Sequence, residues 1–286
     1  MTVAQVAETR ERATPAAVEL TEPEFLGTKS RNRWLSLLLR GSVPALILVA
    51  WWYTTTHALV STDVLASPGQ VVRAFWELVN TGQLWEYSLA SFQRAGLGVA
   101  IGVSVALVLG LVSGLSRLGE ELLDATVQII RVVPFLALVP LFISWFGVDE
   151  AFKVALIAVS SASPMYAYTY LGVRSVDRKV VEAARGFGLR GWRLAVGVVV
   201  PSALPNILMA LRICLGISLV GLIAAEQVGA TAGIGYLVTL AQQYYRNDYM
   251  VLCIVIYALI GIGVDLVIRL VERTAMPWRR HGTASG

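Results

Sequence analysis

Charge is scarce in this chain: 15% of its 286 residues are Asp, Glu, Lys or Arg, against about 25% in a typical soluble domain. A surface made for water is therefore excluded, and the chain reads as tuned to a non-aqueous solvent. Cysteine is nearly missing. Cys214 and Cys253 each sit inside an apolar run, which rules out a disulfide framework or a cysteine metal cluster and leaves two small buried hydrophobes. His57 and His281 are the only histidines and stand far apart, so no histidine-based metal or acid–base site is expected. The chain has no G-x-x-x-x-G-K-[ST] run and is not expected to bind or hydrolyse ATP. Paired carboxylates and activated Ser or Cys arrangements are also lacking, which argues against an enzyme embedded in the membrane. Nothing at the N-terminus reads as a cleaved signal peptide, because the first apolar run follows a polar leader of more than thirty residues.

What is present is apolar: 56% hydrophobic residues and a mean hydropathy of +0.68. A sequence pI near 9.2 raises nucleic acid as a partner. The basic residues instead flank apolar runs, with no aromatic-interleaved basic groove, so membrane orientation explains them and no nucleic-acid role is expected. A bilayer core takes roughly 20 apolar residues of helix, and six runs qualify, near 36–58, 92–115, 125–146, 151–171, 205–226 and 249–270. The expected fold is all-α, a polytopic membrane protein with six transmembrane helices. A leader at 1–34, rich in Glu, Thr and Ala with Pro15 and Pro23, is too polar to fold alone and reads as a disordered cytoplasmic tail. The membrane domain then covers 35–272, and 273–286 forms a second cytoplasmic tail. Between the first two runs, Ser67-Pro68-Gly69 offers an N-cap with Pro at the first helical position. Val71, Val72, Phe75, Leu78 and Val79 then recur at helical spacing, predicting a short interfacial helix.

Lys and Arg set the orientation. Six lie in the leader to Arg40, six between Arg174 and Arg193, and four from Arg269 onward, whereas the other side has Arg73, Arg246, Arg94 and Lys153. Positive residues mark the cytoplasmic face, which places both termini inside, as an even number of spans requires. Trp51, Trp52, Tyr53 and Trp145 fit an aromatic belt. Gly98 and Gly102, and again Gly110 and Gly114, are four apart on the second run, a spacing that lets helices approach closely; packing within one subunit is the expected use. No internal repeat is apparent, which weakens an ion-coupled secondary transporter built on inverted repeats.

Between the fourth and fifth runs lies a polar, basic island, about 174–203, that reads Glu182-Ala183-Ala184-Arg185-Gly186-Phe187-Gly188 and ends at Val198-Val199-Val200-Pro201. Val176 to Arg185 has helical periodicity with Asp177 near its start, where an acidic side chain suits the helix dipole. Gly188 can take the positive φ that turns the chain. Trp192 to Val200 then runs apolar toward Pro201 and Pro205, expected to break it before the next span. Small Ala183 and Ala184 would let the first helix sit deep in a groove of another protein, with Glu182 and Arg185 fixing the contact. Read from these residues alone, a loop lying on lipid headgroups is an equal alternative.

Charges inside the spans need a reason, at a cost on the order of 3 kcal/mol each. Arg131 and Asp265 lie near span ends and could snorkel or pair. Arg212 and Glu226 share a face of the fifth run but stand fourteen residues apart, about 21 Å, so each needs its own partner or a pore. Arg131, Arg212 and Glu226 are the candidate translocation-path residues. Gly233, Gly235 and Tyr236 belong to an apolar segment too short to cross, read as an outer gate element or as a surface helix.

The spacing of Glu182 to Pro201 resembles the EAA loop of ABC importer permeases. Arg131-Val132-Val133-Pro134, Trp145-Phe146-Gly147, Leu204-Pro205 and Gly233-Ile234-Gly235-Tyr236-Leu237 look like the same class, so the resemblance covers most of the chain beyond the leader. The segment from Pro134 to Glu150 looks closest to aliphatic sulfonate permeases, followed by taurine and nitrate permeases. Val198 and Val200 stand where the wider pattern prefers Ile and Leu, which keeps the apolar character. The resemblance implies a type I importer fold in the bacterial cytoplasmic membrane and a homodimer. Its partners would be two ABC ATPase subunits that bind the ATP and an extracytoplasmic substrate-binding protein. It makes Glu182, Ala183, Ala184, Gly188 and Pro201 the ATPase-coupling residues. The implied cargo is an aliphatic sulfonate, with taurine, nitrate, bicarbonate or a vitamin precursor as alternatives.

Overall fold

Where no water can satisfy backbone N–H and C=O groups, the chain must satisfy them within its own helices. Every regular element among the described residues is helical. The computed structural model describes residues 33–62 and 64–276, with side chains from 41 onward. The expected leader up to residue 32 and the tail from 277 lie outside the described residues. The chain divides into two units, the first ending at Ala50 and the second beginning at Trp51.

Helix α1, Arg33–Thr56, carries Pro44 inside it. Helix α2, Pro68–Asn80, is the expected interfacial helix. The Ser67 side chain accepts from Gln70 N while Gln70 Oε1 accepts from Ser67 N at 2.7 Å, a reciprocal capping box. It buries Val71, Ala74 and Leu78 and exposes Val72 and Trp76. Helix α3, Gln83–Leu115, begins nine residues before the expected run because Leu84 and Tyr87 pack into the same cluster as α2.

The third run departs most from expectation. It is two helices, α4 (Arg117–Val132) and α5 (Phe135–Phe146), bent by 86°, not one straight span over 125–146. Pro134 causes the break: it forces Val133 out of the helical region, to ψ 120°. A 3₁₀ turn, Phe135–Leu138, restarts the chain in a new direction. Helix α6, Glu150–Arg174, follows and lies along α3. The glycine spacing on α3 is what permits that contact. A Cβ on Gly98 would stand 2.6 Å from Ile157 Cβ, and one on Gly114 2.7 Å from Val173 Cβ, well inside van der Waals contact. These glycines serve packing within the subunit.

After the short helix α7, Arg178–Gly186, comes α8, Gly191–Glu226. Pro201 and Pro205 do not break it. A π turn over Ala195–Val199 shifts the hydrogen-bond register immediately before Pro201. The Ser202 hydroxyl donates to Val198 O at 2.7 Å, giving that carbonyl a local partner. Helix α9, Ile234–Gln243, and helix α10, Asn247–Ala275, complete the order.

Among the described residues, three helices (α3, α8 and α10) are long and apolar enough to cross a membrane, and a fourth crossing follows if α4 and α5 count as one broken span. Three apolar clusters hold the second unit together. One joins Val71, Leu78 and Tyr87 to Ile234, Leu237 and Leu252; another joins Ala106 and Met165 to Ala203 and Cys214; the third joins Phe142 and Phe152 to Ala225.

Candidate functional site

The polar island folds into a capped elbow. Asp177 accepts from Lys179 N at 2.8 Å and starts α7. Gly188, at φ 85°, ends it. Leu189 N donates to Ala184 O and Gly188 N to Arg185 O, the paired bonds of a Schellman closure that needs a left-handed residue at Gly188. The helix turns Val181 and Ala184 inward and leaves Glu182, Ala183 and Arg185 exposed. Of the two alanines read as groove-seating, only Ala183 therefore faces outward; Ala184 is buried against the protein's own core, since successive helical residues point about 100° apart. The side chains of Glu182 and Arg185 form no ion pair or hydrogen bond among the described residues. Phe187 and Trp192 are 89% and 77% exposed, so two large aromatics stand on a polar elbow. From the sequence, Trp192 is expected only as the start of an apolar segment and Phe187 not as a site residue, although an aromatic between two glycines in a basic loop is a readable signal. Pro201 lies at the start of the straight part of α8, half-buried.

The candidate path charges separate into three environments. Glu226 is fully buried. Its carboxylate accepts from Ser91 Oγ at 2.7 Å, Arg94 Nη1 at 2.8 Å and Gly235 N at 2.8 Å. Arg94 in turn holds Glu150 through Nε at 2.6 Å and Nη2 at 2.9 Å, and Lys153 Nζ reaches the same carboxylate at 3.0 Å. Glu226 is therefore a lock joining α3, α6, α8 and the start of α9, with its acceptor capacity committed. That commitment gives the carboxylate a structural task. Arg94, read from sequence only as a charge near a span end, supplies the partner that Glu226 needed. The pair is 132 residues apart along the chain, which no local pattern discloses.

Gly233 and Gly235 belong to this lock. Gly233 sits at φ 134°, where L side chains are strained, and a Cβ there would lie 2.5 Å from Glu226 Cδ. Gly235 brings its N–H to the carboxylate, and Tyr236 packs edge-on to Tyr87 with centroids 5.8 Å apart. Ile234 and Leu237 are buried, so α9 is a packed helix whose N-terminus is pinned from within.

Arg212 reaches across to α10, with Nη2 3.0 Å from Glu272 and Nε 3.3 Å from Asp265; Asp265 also pairs with Arg269 at 2.6 Å. Arg131 differs. It is exposed, its side chain forms no hydrogen bond or ion pair among the described residues, and it lines a cavity of about 360 Å³ beside the α4–α5 break. Near α2, Arg246 pairs with Glu77 at 2.8 Å and Asp248 at 2.9 Å and lies over the Tyr249 ring. The Arg246 hydrogen bond holds the Glu77 carboxyl below its ordinary range.

A bent, glycine-packed bundle of apolar helices with an exposed charged elbow has the build of a membrane transport subunit. The chain belongs to the family of binding-protein-dependent transport system inner membrane components, whose pattern matches residues 98–276. It is 43% identical over 247 residues to the aliphatic sulfonates transport permease protein SsuC of Escherichia coli, covering 86% of this chain and 94% of that one. To the SsuC protein of Bacillus subtilis it is 38% identical, over 88% of this chain and 90% of that one. The taurine transport system permease protein TauC of Escherichia coli is 32% identical, over 83% and 88%. Among solved structures, an amino acid ABC transporter matches with a TM-score of 0.60 at 21% identity, over 70% of this chain and 97% of that one. The MetNI methionine ABC transporter matches at 0.52 and 23%, over 70% and 98%. At those identities the likeness establishes the fold.

Proposed function

We propose that this chain is the membrane subunit of an importer that brings aliphatic sulfonates into the cell, powered by ATP hydrolysis on a separate subunit. The cargo rests on one observation: the two sulfonate permeases match nearly end to end at 43% and 38% identity, above the taurine permease at 32%. In this reading two copies of the chain, each with six spans, form the pathway in the cytoplasmic membrane. An extracytoplasmic binding protein delivers the cargo. Both termini and α7 face the cytoplasm, on the side richest in Lys and Arg. Glu182, Ala183 and Gly188 seat α7 in a cleft of the ATPase, with Phe187 and Trp192 adding apolar contact. The chain itself hydrolyses nothing.

The direct test expresses the chain with its own ATPase and binding protein in cells lacking a sulfonate permease, then measures uptake of radiolabelled ethanesulfonate, taurine and nitrate. Ethanesulfonate uptake above the other two supports the reading. Taurine or nitrate as the preferred cargo transfers the machine to that substrate, and uptake without the ATPase overturns it.

A further inference from the structure

The cavity beside the α4–α5 break differs from the rest of the interior in one respect. Its walls are almost wholly apolar, with Val105, Leu109, Leu138 and Val159 among them, yet one charge stands on its rim. That charge is Arg131. None of the lining residues is acidic, and Arg131 has no protein partner among the described residues. Asp124, on the same helix, is engaged with Gln128 and Tyr166. The hydroxyl of Ser163, also on the wall, makes no hydrogen bond among the described residues.

Two general constraints bear on this arrangement. An ionisable side chain within a spanning segment is costly and marks a functional position unless it is paired. A break in helical backbone at membrane depth is tolerated where it is covered by protein or lines a cavity. Here both occur within four residues, Arg131 to Pro134, on the same wall. The volume falls in the range of small-molecule sites, roughly 300–1,000 Å³.

We infer that this cavity is a cargo site within the permease, which takes a small monoanion with a short apolar tail: Arg131 holds the anionic head and the α3, α5 and α6 walls take the tail. The inference rests on the sulfonate reading above and sharpens it. A guanidinium stays charged at any physiological pH and offers parallel N–H donors to a tetrahedral oxyanion; Ser163 can add a hydroxyl donor. With no carboxylate on the wall, the ammonium of taurine would be left without a partner. The site should therefore prefer alkanesulfonates to aminoalkanesulfonates, independently of the binding protein.

The test uses the full complex of permease, ATPase and binding protein in proteoliposomes. Wild type should take up ethanesulfonate with ATP. Arg131→Gln should lose at least tenfold of that uptake in a complex that still assembles, and Arg131→Lys should keep an intermediate rate. A second measurement keeps Arg131 intact. In the complex with Ser163→Cys, ethanesulfonate should slow labelling by a charged methanethiosulfonate at least fivefold, and taurine should slow it far less; Cys214 and Cys253 are buried and contribute little background. A wild-type complex that carries no alkanesulfonate overturns both the cargo reading and the site. Uptake by wild type that Arg131→Gln leaves unchanged, or labelling of Ser163→Cys that ethanesulfonate does not slow, overturns the site alone.

Discussion

Replacing Glu226 with Ala should destabilise the permease severely without first touching the cargo. The substitution strips an acceptor from three donors at once: Ser91 Oγ, Arg94 Nη1 and Gly235 N. Arg94 is only 7% exposed, but it keeps Glu150 and the carbonyl of Ala232, at 2.5 Å, so it is not wholly abandoned. Breaking a buried pair from one side costs about 3–5 kcal/mol, and each buried donor left unsatisfied adds about 1–3 kcal/mol. Because Arg94 retains partners, a total of about 3–5 kcal/mol is expected, or roughly 6–20 °C in melting temperature for a domain of this size. The assay is thermal unfolding of the detergent-solubilised protein, followed by tryptophan fluorescence. Glu226→Gln keeps the shape and one acceptor oxygen and should cost about half as much. A melting temperature for Glu226→Ala within about 2 °C of wild type would refute the lock. So would a Glu226→Gln protein of normal stability with altered cargo preference, since that pattern belongs to a pore-lining residue.

Other outcomes follow from the same geometry. Gly102→Leu should cost at least 1–3 kcal/mol by overpacking, because a Cβ there already meets Ala158 and Ser161 on α6; it is checked by melting temperature and by yield of folded protein. Gly188→Val forces a β-branched residue into φ 85°, at about 1–2 kcal/mol; far-UV circular dichroism should stay unchanged while ATP-driven uptake falls. The Glu77–Arg246 pair has a definite pH sign. Glu77 is held below its ordinary value of 4.5, so its small contribution is present above about pH 4.5 and is lost as the pH falls below it. Arg246→Ala should therefore flatten the acid limb of the stability profile, by an amount limited because both side chains are substantially exposed.

The features legible in the sequence were those whose cause is local. Ser67 and Pro68 open one helix, Asp177 and Gly188 bracket another, and Gly98 and Gly102 repeat on one face. Each signals its own geometry without knowledge of what lies across the fold. The contact of Gly98 with Ile157 needed only the rule that small residues let helices meet. Pro134 and Pro201 read alike on paper but act differently. Val133 before Pro134 takes an extended conformation and the helix turns away, whereas a π turn before Pro201 absorbs the missing donor and the helix continues. That choice depends on what packs around each proline. The Arg94–Glu226 lock was invisible for another reason: each partner looked like an isolated charge, and only the packing of α3 against α8 and α9 brings them together. Ala184 lies on the buried side of α7, a side that periodicity alone did not specify.

The proposed function has force pass from a separate ATPase into the α7 elbow, and one comparison reaches that step directly. Proteoliposomes carrying the assembled complex, with wild-type permease or with Glu182→Ala, are loaded with ATP-regenerating mixture and supplied with labelled ethanesulfonate and binding protein. ATP hydrolysis and uptake are then measured in the same vesicles. The elbow predicts that wild type couples the two and that Glu182→Ala inserts normally, hydrolyses ATP and imports little. Import by Glu182→Ala at the wild-type ratio of cargo to ATP, or import by either protein with the ATPase left out, would contradict it.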